Sequence, residues 1–219
     1  MEADLLVFDL DGTLIDSKLD LALAVNATRA EAGLGPLAHE TIYSYVGNGA
    51  PVLIRKALGP EASQEQADQG LQFFLNYYRS HMLDNTRLYP GVGDALEEWS
   101  GSKKLAVLTN KPERFSRMIL DGLGVGTHFG RVYGGNSFET KKPDPFGLRR
   151  LMEELGVSAP QTLMVGDSAV DVQTARNAGV PSCGVTYGLQ PETFHEHPPD
   201  ILVDRLQELV ELLRNGKAV

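Results

Sequence analysis

The chain has 219 residues, 42% of them hydrophobic and 22% charged, which is typical of one large globular domain or a core with a smaller inserted domain. The net charge of -9 disfavours a nucleic-acid partner, because nucleic-acid-binding domains are usually basic. With Cys183 as the single cysteine and neither a signal peptide nor a bilayer-spanning apolar run, we expect a cytoplasmic protein with no internal disulfide and no membrane partner.

Short apolar runs rich in β-branched residues predict the strands of a largely parallel sheet, because strands buried on both faces are almost continuously apolar. These runs are residues 4–11, 104–110, 131–136, 162–167, 181–187 and 200–204. Amphipathic helical patterns that close near a glycine lie between them, at 91–101, 112–124, 144–156 and 168–179. The alternation predicts an α/β fold with a doubly wound, mostly parallel, Rossmann-like sheet.

Residues 15–88 interrupt this alternation with patterns that are helical only. Apolar spacing predicts two long helices, at 16–35 and 63–83, and two shorter ones, at 40–47 and 50–59. Asp16 or Ser17 can cap the first helix. We expect residues 15–88 to form a helical cap over the end of the first strand. Residues 1–14 and 89–219 would then form the α/β core.

Polar side chains follow several predicted strands, and half of them are carboxylates. In chain order they are Asp9 and Asp11, Thr109 and Asn110, Lys141 and Lys142, and Asp167 and Asp171. Because ligands bind beyond the carboxyl ends of parallel strands, we expect these side chains to converge. Two carboxylates about 4 Å apart repel by about 4 kcal/mol at an effective dielectric constant near 20. A cation would relieve this repulsion, and oxygen ligands without His or Cys favour magnesium.

A phosphate group suits such a site. Thr109 and Asn110 can donate hydrogen bonds to phosphoryl oxygens, and Lys142 can supply positive charge. The turn at residues 11–13 can present backbone N–H groups to an anion. One carboxylate can attack phosphorus, and a second can protonate the leaving oxygen and then deprotonate water. A turn after Leu10 would direct Asp9 towards metal and phosphorus and Asp11 towards the leaving group.

Four segments resemble the signature motifs of the haloacid dehalogenase-like hydrolase superfamily. They are DLDGT, LTN, KKPDP and VGDSAVD, and they occur in that order along the chain. The helical segment lies where that superfamily carries its first type of cap. Within the superfamily, VGNGAPVLIRKALG and LTNKP look like segments of phosphoglycolate phosphatases.

The resemblance implies roles for the acids. Asp9 would be the nucleophile and a magnesium ligand, and Asp11 the general acid/base, with its backbone carbonyl on the metal. Asp167 would be a third metal contact, and Asp171 a direct or more distant one.

The resemblance also implies the substrate contacts. Thr109 and Asn110 would bind phosphate, and Lys142 would hold the nucleophile and the phosphoryl group. We choose Lys142 over Lys141 because the family's lysine directly precedes the proline. The rest of the substrate would meet cap residues Gly47, Asn48, Gly49 and Arg55.

The sequence therefore predicts a magnesium-dependent phosphatase of a small phosphorylated metabolite. Phosphoglycolate is the lead substrate, with pyrophosphate, sugar phosphates and nucleotides as alternatives. A β-phosphoglucomutase-like mutase on the same core stays open. A dehalogenase is disfavoured because it needs neither Asp11 nor a metal cluster, and a receiver-like phospho-acceptor module because it has no helical cap. The chain is compatible with a monomer or a homodimer.

Overall fold

The computed structural model describes residues 3–214. Its strands are β1 (Leu5–Phe8), β2 (Ile15–Asp16), β3 (Arg87–Leu88), β4 (Lys104–Leu108), β5 (Arg131–Tyr133), β6 (Thr162–Gly166), β7 (Ser182–Val185) and β8 (Ile201–Val203). Its helices are α1 (Lys18–Glu31), α2 (His39–Tyr43), α3 (Ala50–Leu58), α4 (Gln64–His81), α5 (Val92–Trp99), α6 (Glu113–Gly122), α7 (Phe146–Leu155), α8 (Ala169–Ala178) and α9 (Leu206–Arg214). Across the described residues, no helix combines the length and apolarity needed to cross a membrane.

A six-stranded sheet in the order β5–β4–β1–β6–β7–β8 forms the core, and each neighbouring pair in it is parallel. Its strands fall within the six apolar runs of the sequence, so the predicted strands and the α/β class are confirmed. Strand β1 is buried on both faces, as its LLVF sequence requires. Leu6 and Phe8 pack on one side with α5, α6 and α9, and Leu5 and Val7 on the other with α7 and α8.

The strand order places β1 at the topological switch point of the sheet. Strand β1 pairs with β4 on one side and with β6 on the other, so the connections leave it in opposite directions. A crevice forms at the carboxyl end of a strand in this position. Residues directly after β1, β4 and β6 therefore lie side by side.

Helices α1–α4 form a helical insert, residues 18–81, between β2 and β3. Helix α4 packs against both α1 and α3. Strands β2 and β3 pair antiparallel, with Ile15 opposite Leu88, so the purely helical reading of residues 15–88 is wrong at its two ends. The sequence could not reveal this pair, because a strand of two residues is too short to show the alternating pattern of a β-strand and its partner lies far away in the chain.

Helix α1 begins at Lys18, where Asp16 Oδ1 accepts a long hydrogen bond of 3.4 Å from the Lys18 N–H, but Ser17 does not cap the helix as predicted. Ser17 occupies the N-cap position without a side-chain hydrogen bond to the helix. Its hydroxyl donates instead to Asp11, a residue of the turn after β1. The start of the insert is thus tied to the end of the central strand.

Asp20 joins the start of the insert to its end, a role the sequence did not reveal. The buried carboxylate accepts hydrogen bonds from the Asn85 backbone and side chain, at 3.0 and 2.8 Å. It also accepts from the Thr86 backbone and hydroxyl, both at 2.8 Å. Satisfying four donors offsets the cost of burying this charge.

We predict that Asp20→Ala lowers the free energy of unfolding by about 3 kcal/mol, because it leaves several buried donors unpaired. Urea denaturation measures the change. Asp68 is exposed on α4, so Asp68→Ala is the control and should change stability by no more than about 0.5 kcal/mol. Equal effects of the two substitutions would contradict the role assigned to Asp20.

Candidate active site

Three buried carboxylates meet at the carboxyl ends of β1 and β6. Asp9 directly follows β1, Asp167 directly follows β6, and Asp171 lies in the first turn of α8. Each offers an oxygen, and these oxygens all lie within 4.8 Å of one another. The Asp9 N–H donates to Val165 O at 2.9 Å, which fixes the residue beside β6. Parallel pairing of β1 with β6 thus brings distant acids together.

Lys142 joins two of these acids from the loop after β5. Its ammonium lies 2.8 Å from Asp9 Oδ1 and 2.6 Å from Asp171 Oδ1, and the residue is only 4% exposed. Burial disfavours the charged lysine, but Asp171 and Asp9 outweigh burial and raise its pKa above the usual range. Lys141 is exposed and donates to Asn48 O at 2.7 Å. Of the tandem lysines, Lys142 therefore faces the acids.

The single positive charge of Lys142 does not balance the three clustered carboxylates. Burial raises the pKa of Asp9 to about 6, although Lys142 opposes the shift, and Asp171 adds to it. Burial, with the charges of Asp171 and Asp9, also raises the pKa of Asp167 well above its usual value. A cation would relieve this repulsion. Three buried carboxylates without a nitrogen or sulfur ligand form a donor set that fits a hard ion such as Mg²⁺.

The turn after β1 is built around Gly12, which has a positive φ of 87°. A Cβ there would also lie 2.1 Å from Asp167 Oδ2, so glycine lets the turn and the acid approach. The Gly12 and Thr13 N–H groups donate to Ile15 O and Leu10 O, at 3.0 and 3.3 Å. Two of the three N–H groups expected to receive an anion thus close the turn instead, and the expectation remains a prediction for the Asp11 N–H alone.

Asp11 has different neighbours from Asp9. Both of its oxygens accept from Lys111 Nζ, at 3.0 and 3.1 Å, and one also accepts from the Ser17 hydroxyl. Lys111 is 7% exposed, and its pKa is raised because Asp11 and Tyr78 outweigh the opposing effect of burial. The two acids of the DLDGT turn therefore face separate lysines.

Lys111 lies in the LTNKP segment directly after Asn110, but it is not among the site residues predicted from the sequence. A lysine three residues past a strand end is an ordinary surface pattern. Here its ammonium is held by a residue of the helical insert: Nζ donates to Tyr78 Oη at 2.9 Å and lies 4.6 Å from the Tyr78 ring centroid. Only tertiary contact between α4 and the sheet edge reveals this position.

Thr109 and Asn110 lie at the expected edge but differ in their available donors. Both side-chain N–H groups of Asn110 are engaged, with Gly47 O at 2.9 Å and Lys142 O at 3.1 Å. Its side chain therefore positions the loop of the insert rather than donating to phosphate as expected. Thr109 Oγ1 accepts from the Lys111 N–H at 3.2 Å, which leaves its hydroxyl hydrogen to donate.

Only some of the residues of the insert that are expected to contact the substrate line the cavity. Gly47 and Gly49 line the cavity above the acids. Asn48 does not line it and instead offers its carbonyl to Lys141. The expectation for Arg55 is wrong: it is exposed, and its guanidinium donates to Ala62 O at 2.8 Å. Leu53 and Ile54 occupy the buried face of α3, so the next residue points to solvent.

A loop after β7 completes the site, and the sequence motifs did not include it. The Leu189 N–H donates to Asp167 Oδ2 at 2.7 Å. The Gln190 amide donates to Val46 O at 2.9 Å, which links this loop to the helical insert. Leu189 and Gln190 both line the cavity.

Comparison with known proteins agrees with this arrangement. The model of the haloacid dehalogenase-like hydrolases matches residues 6–185. The chain is 41% identical to a phosphoglycolate phosphatase of Pseudomonas savastanoi, over 94% of this chain and 78% of that protein. It is 40% identical to a phosphoglycolate phosphatase of Vibrio parahaemolyticus, over 95% of each. A crystal structure described as a predicted phosphoglycolate phosphatase from Haemophilus somnus has a TM-score of 0.92 and 31% identity, and the match covers 97% of this chain and 98% of that one.

The parallel sheet, its acidic carboxyl edge and these relatives together define the class of protein as an α/β phosphatase. The chain belongs to the haloacid dehalogenase-like hydrolase family. The resemblance seen in the sequence motifs is thereby confirmed. The chain is therefore an enzyme and not the receiver-like phospho-acceptor module that the sequence analysis kept as an alternative.

The burial of Asp9 leads to a prediction about stability. The pKa of Asp9 is about 6 in the folded protein and 3.8 in the unfolded chain, so the folded state binds the proton more tightly. The resulting contribution to the free energy of unfolding is fully present below about pH 4 and is lost as the pH rises through 6. Asp9→Asn should therefore stabilise the metal-free protein at pH 7.5 by about 2 kcal/mol. The gain should shrink at pH 5, where the wild-type carboxyl is largely protonated.

Urea denaturation in EDTA at both pH values measures this difference. Asp94 is exposed on α5, and Asp94→Asn serves as the control, with little change expected at either pH. A loss of stability on Asp9→Asn at pH 7.5 would show that the carboxylate is not disfavoured by its surroundings.

Proposed function

We propose that this phosphatase hydrolyses a small phosphomonoester, with 2-phosphoglycolate as substrate, through an aspartyl-phosphate on Asp9. The observation that carries the proposal is the division of the two acids between separate lysines. Asp9 lies with Lys142 among the buried carboxylates, whereas Asp11 lies with Lys111 on another side of the turn. This division supports a mechanism in which one carboxylate attacks phosphorus and the other transfers protons.

We propose that Mg²⁺ is bound by the Asp9, Asp167 and Asp171 carboxylates, with the backbone carbonyl of Asp11. When bound, the ion would neutralise the clustered carboxylates and the phosphoryl oxygens. Lys142 adds positive charge beside Asp9 and Asp171, which keeps both carboxylates oriented.

The chain's own residues account for the proton and bond changes. An Asp9 carboxylate oxygen attacks phosphorus, the ester P–O bond breaks, and protonated Asp11 gives its proton to the leaving oxygen. Asp11 then takes a proton from water, whose oxygen attacks phosphorus and releases phosphate from Asp9. The Thr109 hydroxyl donates to a phosphoryl oxygen during both transfers.

We further propose that residues 15–88 act as a cap that excludes water and selects the substrate. The β2–β3 pair would serve as its hinge, since both connections to the core pass through it. Gly47 and Gly49 would then face the part of the substrate beyond the phosphate. The name shared by the curated relatives supports phosphoglycolate as the substrate.

A panel of phosphate esters tests the activity. Phosphate release should require Mg²⁺, stop in EDTA and be fastest by kcat/KM for 2-phosphoglycolate. If no ester releases phosphate with Mg²⁺, the proposed reaction fails. If another ester is the best substrate, only the assignment to phosphoglycolate fails, and phosphoryl transfer to a second hydroxyl without phosphate release would indicate a mutase.

Substitution of the two acids tests the mechanism. Asp9→Asn should lower turnover by about a thousandfold or more, because an amide is a poor nucleophile. Asp11→Asn should lower it by about 10²- to 10⁴-fold, the usual range for general acid–base catalysis. Asp94→Asn is the matched control and should retain full activity. Near-normal turnover of Asp9→Asn would exclude the covalent intermediate.

A further inference from the structure

Lys111 lines the cavity beside Asp11. Its ammonium is bonded to Asp11, the acid that serves the leaving oxygen in the proposed function. We propose that Lys111, positioned by Tyr78, binds an anionic group carried by the leaving group and so selects substrates that have one. This inference rests on the proposed function; for 2-phosphoglycolate that anionic group is the carboxylate.

The chemistry of the ester supports this placement. In 2-phosphoglycolate a single carbon separates the leaving oxygen from the carboxylate, so any group that binds the carboxylate must lie beside the acid that serves the oxygen. Lys111 Nζ lies 3.0 Å from Asp11 Oδ1 and meets this requirement. Lys142 lies instead with Asp9 and Asp171, where the phosphoryl group is expected.

The rest of the cavity offers no other cation. Within the described part of the chain, Lys111 is the one positively charged side chain that lines it. The helical insert contributes mainly apolar side chains to the wall, among them Leu21, Leu53 and Phe74. A carboxylate lying against such a wall would be costly to bury without a positive partner.

The pair also has the hydrogen-bond capacity for an anion. An ammonium carries three N–H donors, and Lys111 directs them to the two Asp11 oxygens and to Tyr78 Oη, so an incoming anion would share a donor with one of the Asp11 oxygens. Burial raises the pKa of Tyr78 to about 12, so the phenol keeps its proton at neutral pH. Because Tyr78 Oη accepts from Lys111, its own hydrogen can be donated to the same ligand.

The two members of the pair come from different parts of the protein. Lys111 follows β4 in the core, whereas Tyr78 belongs to α4 of the helical insert. The anion site is therefore complete only when the insert lies against the sheet edge. This couples recognition of the leaving group to the position of the insert.

The test compares 2-phosphoglycolate with ethyl phosphate, which has the same number of carbons but no carboxylate. Lys111→Met should lower kcat/KM for both esters, since Asp11 loses its partner. The ratio of the two values should fall roughly tenfold to a hundredfold, because one charge-assisted contact is lost only with 2-phosphoglycolate. Lys111→Arg should restore part of the ratio, and Tyr78→Phe should lower it less than Lys111→Met.

Lys141→Met is the matched control, because this lysine also joins the core to the insert but lies outside the cavity. In Lys141→Met the ratio of kcat/KM for 2-phosphoglycolate to kcat/KM for ethyl phosphate should equal that of the wild type. Competitive inhibition by inorganic phosphate should be similar in wild type and Lys111→Met, which reports that the phosphate subsite remains folded.

The outcomes separate this inference from the proposed function. If the wild type hydrolyses both esters without preferring 2-phosphoglycolate, or if Lys111→Met lowers both equally and leaves the ratio unchanged, anion selection by Lys111 is overturned while the phosphatase reaction stands. If the wild type hydrolyses neither ester, the proposed substrate fails first. The inference would also be overturned if Lys141→Met lowered the ratio as much as Lys111→Met does. The effect would then follow from loosening the insert.

Discussion

The burial of several carboxylates at one sheet edge is the physical constraint on which the rest of the structure depends. Asp9, Asp167 and Asp171 repel one another, and removal from water adds to the cost. The chain meets part of this cost with Lys142, which is itself buried and can stay charged only because the acids surround it. The remaining negative charge is what makes the site suitable for a cation.

The α/β fold supplies the geometry that this constraint needs. Parallel pairing of β1 with β4 and β6 puts the residues after three strands at one edge, and the switch point opens a crevice there. Gly12 lets the turn after β1 lie against Asp167 without a clash. The same turn separates Asp11 from Asp9, so two acids two residues apart in sequence acquire different partners.

Several polar contacts link the helical insert to this edge, and three of them involve core residues that line the cavity. Tyr78 meets Lys111, Gly47 accepts from Asn110, and Val46 accepts from Gln190. Each contact joins a residue of the insert to a residue that lines the catalytic crevice. In the proposed function, the groups that select the substrate would therefore be shared between insert and core, and recognition would depend on the position of the insert.

The sequence by itself determined the sheet, the alternation of strands and helices and the family, because buried parallel strands and strand-end motifs are local patterns. It also predicted that six site residues lie at one edge of the sheet, since parallel strands end together. These residues are Asp9, Asp11, Thr109, Lys142, Asp167 and Asp171. Tertiary structure alone decided the β2–β3 pair, the Asp20 anchor, the exposed place of Arg55 and the burial of Lys111 against Tyr78. Each of these depends on which residues from distant segments meet, and the charge and burial of a single lysine or arginine are fixed only by those neighbours.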